Sequence, residues 1–162
     1  MKNAIVVVGI GELGGIFAKG FLKLGMPVVP VTRDMDVADV QGRCPEPLFV
    51  LVAVAENDIT QILAQIPSQW QDRVVLLQNE LLPRDWQQVH IEDPTVISVW
   101  FEKKKGIDVK VLRPSVIYGP HAQAISNALT SLGIDNTVLA SYEDLVHALV
   151  LKNLFVMTIN IA

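Results

Sequence analysis

The chain has 162 residues, 51% of them hydrophobic, enough for one domain with its own core. The net charge is −4 and the only basic cluster is Lys103-Lys104-Lys105, which argues against a nucleic-acid partner. Cys44 is the single cysteine, so no internal disulfide forms and a reducing, cytoplasmic setting fits.

Ala4 to Val8 is a continuous apolar run, the signature of a strand buried on both faces. Gly9-Ile10-Gly11-Glu12-Leu13-Gly14 follows directly. It breaks the apolar run too early for a signal peptide. Ile16, Phe17, Phe21 and Leu24 then share one helical stripe, Lys19 and Lys23 lie off it, and Gly25 supplies the stop. Val28 to Thr32 reads as a second strand, against which Pro30 argues because it cannot donate to a ladder; a missing or short third strand would leave it on an exposed edge. Strand, G-x-G-x-x-G and helix in this order point to dinucleotide binding. Gly9 permits the tight turn, Gly11 lets a pyrophosphate approach the backbone, and Gly14 lets helix and strand pack closely. The phosphates would then meet free N–H groups at the positive end of the helix. The alternative is a packing turn that binds nothing.

Arg33 to Pro47 is polar and irregular, with a short helical turn over Val37 to Val40. Leu48 to Val54 is a buried strand. Asn57 is placed to cap a helix whose stripe is Ile59, Ile62, Leu63 and Ile66, ended by Pro67. Arg73 to Leu77 is a strand running into Gln78-Asn79-Glu80, and a short segment follows over Pro83 to Gln88. Thr95 to Phe101 is a strand and Lys103 to Gly106 a solvated turn. Ile107 to Leu112 and Ser115 to Tyr118 read as a paired hairpin. Pro120 stands at the first position of a helix carrying Ile125, Leu129 and Leu132 and stopped by Gly133. A short strand over Thr137 to Leu139 follows. Ser141 and Asp144 form the capping box of a last helix that runs, apolar and uncapped, to Ala162. That apolar stretch, Ala148 to Ala162, is too short to span a membrane.

The alternation predicts an α/β, Rossmann-type, mostly parallel sheet with helices on both faces. Residues 1–140 form the dinucleotide-binding domain, and residues 141–162 read as the start of a helical domain continuing beyond the chain. Ligands bind at the C-terminal ends of such strands. The candidate cofactor-binding residues are therefore Gly9, Ile10, Gly11, Glu12, Leu13, Gly14, Thr32, Arg33, Ala53, Val54, Ala55, Gln78 and Asn79. An NAD site usually carries Asp or Glu after the second strand. Here Thr32 offers a hydroxyl and Arg33 a guanidinium, the pair a 2′-phosphate wants, so the cofactor reads as NADP. Asp34 is the rival acceptor that would favour NAD, and a solvated loop charge is the plain reading of Arg33. The histidines (His90, His121 and His147) show no metal-ligand spacing, so no metal is expected.

The GIGELGG turn, the Thr32-Arg33 pair, Gln78-Asn79-Glu80 and the helix bearing Lys152 resemble the ketopantoate reductase group of the 6-phosphogluconate dehydrogenase-like superfamily. The resemblance implies an NADP-binding domain followed by a helical domain, often dimeric, and NADPH-dependent reduction of a small 2-keto acid. It assigns catalysis to Lys152 and places Asn79 at the nicotinamide. Glu80 stands where the family often has Gly and Val156 where it has Asn, while Asn160 matches a second family Asn. Lys152 is the only charge between Asp144 and Ala162. Buried, its ammonium would lose basicity and suit protonation of an alkoxide. Otherwise its stem lies along the helix and its amine reaches water. Two other functions stay open: a dinucleotide-sensing module without turnover, and another hydroxy or imino acid dehydrogenase of the superfamily.

Overall fold

The computed structural model describes residues 3–161, with side chains through residue 159. Asn160 therefore falls outside the described side chains, and its match to the family pattern with it. The strands are β1 (Ile5–Val8), β2 (Val28–Val31), β3 (Phe49–Val52), β4 (Val74–Leu76), β5 (Thr95–Ser98), β6 (Phe101–Glu102), β7 (Lys110–Val111), β8 (Ser115–Tyr118) and β9 (Asn136–Val138). The helices are α1 (Glu12–Lys23), α2 (Val37–Arg43), α3 (Ile59–Gln65), α4 (Pro83–Gln87), α5 (Ala122–Ser131) and α6 (Tyr142–Ile161).

Seven strands make one sheet in the order β2-β1-β3-β4-β5-β8-β9. The first five are parallel, β8 is antiparallel to β5, and β9 is parallel to β8. Successive strand residues point to opposite faces. Ile5 and Val7 enter a core with Phe17 and Phe21 of α1 and Ile125 and Leu129 of α5. Val6 and Val8 enter the opposite core with Val40 of α2, Leu63 of α3, and Leu145 and Leu149 of α6. Both faces are covered, which is why β1 is apolar throughout. Phe21 is fully buried and meets Phe49 edge-on at 5.4 Å. Truncating such a side chain costs roughly 3–5 kcal/mol.

β2 is the sheet edge. Val31 accepts from Gly9 N–H at 2.9 Å and Pro27 from Ile5 N–H at 2.8 Å. Residues alternate along a strand, so the nitrogen of Pro30 points to the open side, where no ladder bond is lost.

Four local expectations change. The segment after β2 holds a real two-turn helix, α2, because Asp36 accepts from Ala38 N–H at 2.9 Å and caps it. Asn57 does not cap α3; it lies inside a 3-10 turn over Glu56–Asp58 that precedes it. The hairpin joins β6 to β7 instead of Ile107–Leu112 to β8. Trp100 carbonyl accepts from Leu112 N–H at 2.8 Å, and Pro114, lacking an N–H, separates β7 from β8, which turns to β5 and β9. Pro120 precedes the cap of α5, His121, because Gly119 (φ +133°) brings the chain against Thr95 first, and His121 N–H donates to Thr95 Oγ1 at 2.8 Å.

Candidate dinucleotide site

The five parallel strands end on one edge, and the loops leaving β1, β2, β3 and β4 gather there. The glycine turn is the best-defined part. Gly9 has φ +92°, and a Cβ on it would stand 2.7 Å from Ala53 oxygen. A Cβ on Gly14 would stand 2.0 Å from Gly9 oxygen, so α1 can approach β1 only with glycine there. Gly11 is different: a Cβ on it would meet nothing within 4 Å. Glycine at that position answers to no neighbour in the protein, which leaves room for a ligand. Gly11 is the cap of α1 and offers no side-chain acceptor to the first turn. The N–H groups of Glu12, Leu13 and Gly14 precede the first intrahelical bond, from Gly15 to Gly11 at 2.9 Å, and so have no partner within the helix. The residues fit a pyrophosphate on this ground. Ile10 is exposed and Leu13 half-buried against the α1 core.

Thr32, Arg33 and Asp34 follow β2 and are all exposed. A turn closed by Met35 N–H on Thr32 oxygen, 3.1 Å, sets their direction. They lie one strand from the glycine turn, since Gly9 N–H bonds Val31.

Ala53, Val54 and Ala55 leave β3. Ala53 N–H donates to Val8 oxygen at 2.8 Å, so this loop starts beneath the glycine turn. Gln78 is placed at the same edge but turned inward, only 4% exposed. Its amide nitrogen donates to Val52 oxygen at 2.7 Å and its amide oxygen accepts from Leu77 N–H at 3.2 Å, which ties the ends of β3 and β4 together. Asn79, next along, is exposed. Its backbone N–H donates to the carboxylate of Glu56. Burial pushes the Glu56 carboxyl up, more than its bonds from Asn79 and Glu80 N–H hold it down.

Lys152 is 8% exposed. Its ammonium donates to Val99 oxygen and lies 4.2 Å from the Trp100 ring centre. Burial lowers its basicity, opposed by the charges of Glu102 and Glu56. Asn153, the next residue, donates to Leu81 oxygen at 3.2 Å and pins α6 to the loop that carries Asn79. Lys152, Glu56 and Asn79 are thus brought to one end of the sheet by three different elements. A buried ammonium of lowered basicity can release a proton to an oxygen anion. Sequence reading gave no role to Trp100 or Asn153, and Glu56 entered it only as the end of the Ala53–Glu56 stretch after the third strand. Glu56 reaches Asn79 across 23 residues and Asn153 reaches Leu81 across 72, contacts that no local pattern marks.

Beyond Lys152, α6 exposes Leu154 (55%), Met157 (56%) and Ile159 (55%). An open cavity of about 500 Å³ lies between this helix, Trp100 and Arg113. Among the described residues no helix is long and apolar enough to cross a membrane, and no cluster of His, Cys, Asp or Glu could hold a metal ion.

No family model matches the chain, and no curated protein matches it by sequence. Solved structures do. A 2-dehydropantoate 2-reductase from Methylococcus capsulatus superposes with a TM-score of 0.60 at 15% identity, covering 83% of this chain and 56% of its own. The fold is Rossmann-type, shared with ketopantoate reductases. A reductive aminase from Aspergillus terreus, solved with NADPH and ethyl levulinate, matches with a TM-score of 0.58 at 14% identity, over 98% of this chain and 61% of its own. A protein from Arthrobacter sp. FB24 described as an F420-dependent NADP-reductase matches with a TM-score of 0.60 at 16% identity, over 95% of this chain and 92% of its own. These neighbours are oxidoreductases by name. The chain spans about half the length of the 2-dehydropantoate reductase.

Proposed function

We propose that this chain is the NADP-binding part of an oxidoreductase that reduces a small 2-keto acid. The observation carrying the cofactor reading is the contrast between Gly14, where a Cβ would collide with Gly9, and Gly11, where it would meet only open space. The pyrophosphate rests on the N–H groups of Glu12, Leu13 and Gly14. Thr32 and Arg33 take the 2′-phosphate, Ala53 to Ala55 line the floor, and Asn79 lies toward the nicotinamide. The cofactor supplies the hydride when bound. Lys152 delivers the proton, leaving Val99 oxygen to do so. The reading includes a cytoplasmic homodimer using the apolar side of α6, which light scattering at high concentration checks.

The experiment is calorimetric titration with NADPH and with NADH, on the unaltered chain and on Arg33→Ala. The expected result is NADPH preference that falls about tenfold or more toward the NADH value in the variant. Binding of neither nucleotide by the unaltered chain overturns the reading. The bond from Lys152 to Val99 oxygen favours a second reading, a dinucleotide-sensing module in which that lysine only holds α6 in place. NADPH consumption with a panel of 2-keto acids separates the two.

A further inference from the structure

Glu12 puts a carboxylate on the first turn of α1, where the proposed pyrophosphate must arrive. For the free fold this is favourable, because the helix N-terminus attracts negative charge. For a diphosphate it is a like charge in the way. The fold sets a cation beside it. Lys103 Nζ stands 3.5 Å from Glu12 Oε2, and its side chain is 21% exposed. Lys103 follows β6, far from α1 in sequence, and the strand is seated on that helix by Phe101 against Phe17, ring centres 6.1 Å apart. Nζ also donates to Lys104 oxygen at 2.8 Å. Lys104 and Lys105 are exposed. One member of the three-lysine run is therefore folded back against Glu12, the first residue of α1.

We infer that Lys103 is a ligand of the dinucleotide's diphosphate, held ready by Glu12. The inference rests on the dinucleotide reading above. In the free chain the ammonium neutralises the carboxylate. When the diphosphate reaches the first-turn N–H groups, the flexible lysine stem lets Nζ lie between carboxylate and phosphate oxygens. Like-charge repulsion then becomes a three-body contact in which each anion faces the same cation. Glu12 lowers affinity on its own account, and Lys103 more than compensates.

The test is calorimetry with NADPH and with adenosine 2′-monophosphate, which carries the 2′-phosphate but no diphosphate. Lys103→Met is expected to weaken NADPH about tenfold, as loss of one charge-assisted contact does, and to leave adenosine 2′-monophosphate unchanged. Glu12→Gln is expected to tighten NADPH by about two- to threefold. Lys105→Met, on the same loop, should change neither. Thermal midpoints within about 2 °C of the unaltered chain show that the hairpin still sits on α1. An unchanged NADPH affinity in Lys103→Met, or equal loss for both probes, overturns the inference and leaves the dinucleotide reading standing. Failure of the unaltered chain to bind NADPH overturns both.

Discussion

At the β1–β2 side of the crevice the protein works with backbone. Gly9, Gly11 and Gly14 shape it, Pro30 closes no ladder on the open edge, and Thr32 and Arg33 stand free in solvent. At the β4–β5 side it works with side chains. Gln78 joins two strand ends, Glu56 holds the Asn79 loop, and Lys152 is buried on Trp100. In the first region Gly9 and Gly14 allow backbone approaches that any side chain would block. The second holds together through charges taken out of water, which cost stability wherever they are imperfectly paired. A region of the first kind can be written in six consecutive residues. A region of the second kind needs the whole fold.

Gly14→Ala should be the most damaging change. Its methyl would stand 2.0 Å from Gly9 oxygen, a backbone atom that cannot turn aside. A loss of about 3 kcal/mol or more is expected, read as a lowered urea midpoint. If the variant keeps its midpoint, close packing is not what glycine provides there.

Gly11→Ala sharpens the contrast. Nothing lies within 4 Å of the new methyl, so stability should fall by no more than about 1 kcal/mol, the cost of alanine at a helix cap, while NADPH affinity falls at least about tenfold. Loss of stability with binding retained would remove the pyrophosphate from that space.

Lys152→Met tests the other side. The buried ammonium has lowered basicity, so its charged form is disfavoured in the fold. Below the lowered value both states carry the proton and the penalty is full. As pH rises through that value and past the ordinary 10.5, the penalty disappears. The variant should therefore gain most in melting temperature at the lower end of the pH range, with the gain shrinking as the pH becomes alkaline. A variant that melts lower at every pH would mean that contacts to Val99 and Trp100 outweigh desolvation.

The smallest effect is expected from Glu56→Gln, which keeps an oxygen for Asn79 N–H but does not titrate. Burial raises the folded value above the ordinary 4.5, so the unaltered chain should lose stability relative to the variant as pH climbs from below 4.5 through the raised value. Thermal midpoints across that range check it. A difference that does not move with pH would place Glu56 in water.

By itself the sequence determined the parallel α/β sheet and the glycine turn, and Pro30 pointed to an edge for β2. Each is a local rule: continuous apolar runs for strands buried on two faces, fixed glycine spacing, and a proline that cannot donate. α2 was underestimated because its cap, Asp36, is a single residue in a polar stretch. The pairing of β6 with β7 and of β8 with β5 was misread because partner choice depends on where Trp100 turns the chain, which no period encodes. Only the tertiary structure decided that Gln78 faces inward, that Glu56 reaches Asn79, and that Lys103 returns to Glu12. These contacts join residues far apart in the chain, and their energies come from burial and charge that exist only once the sheet has formed.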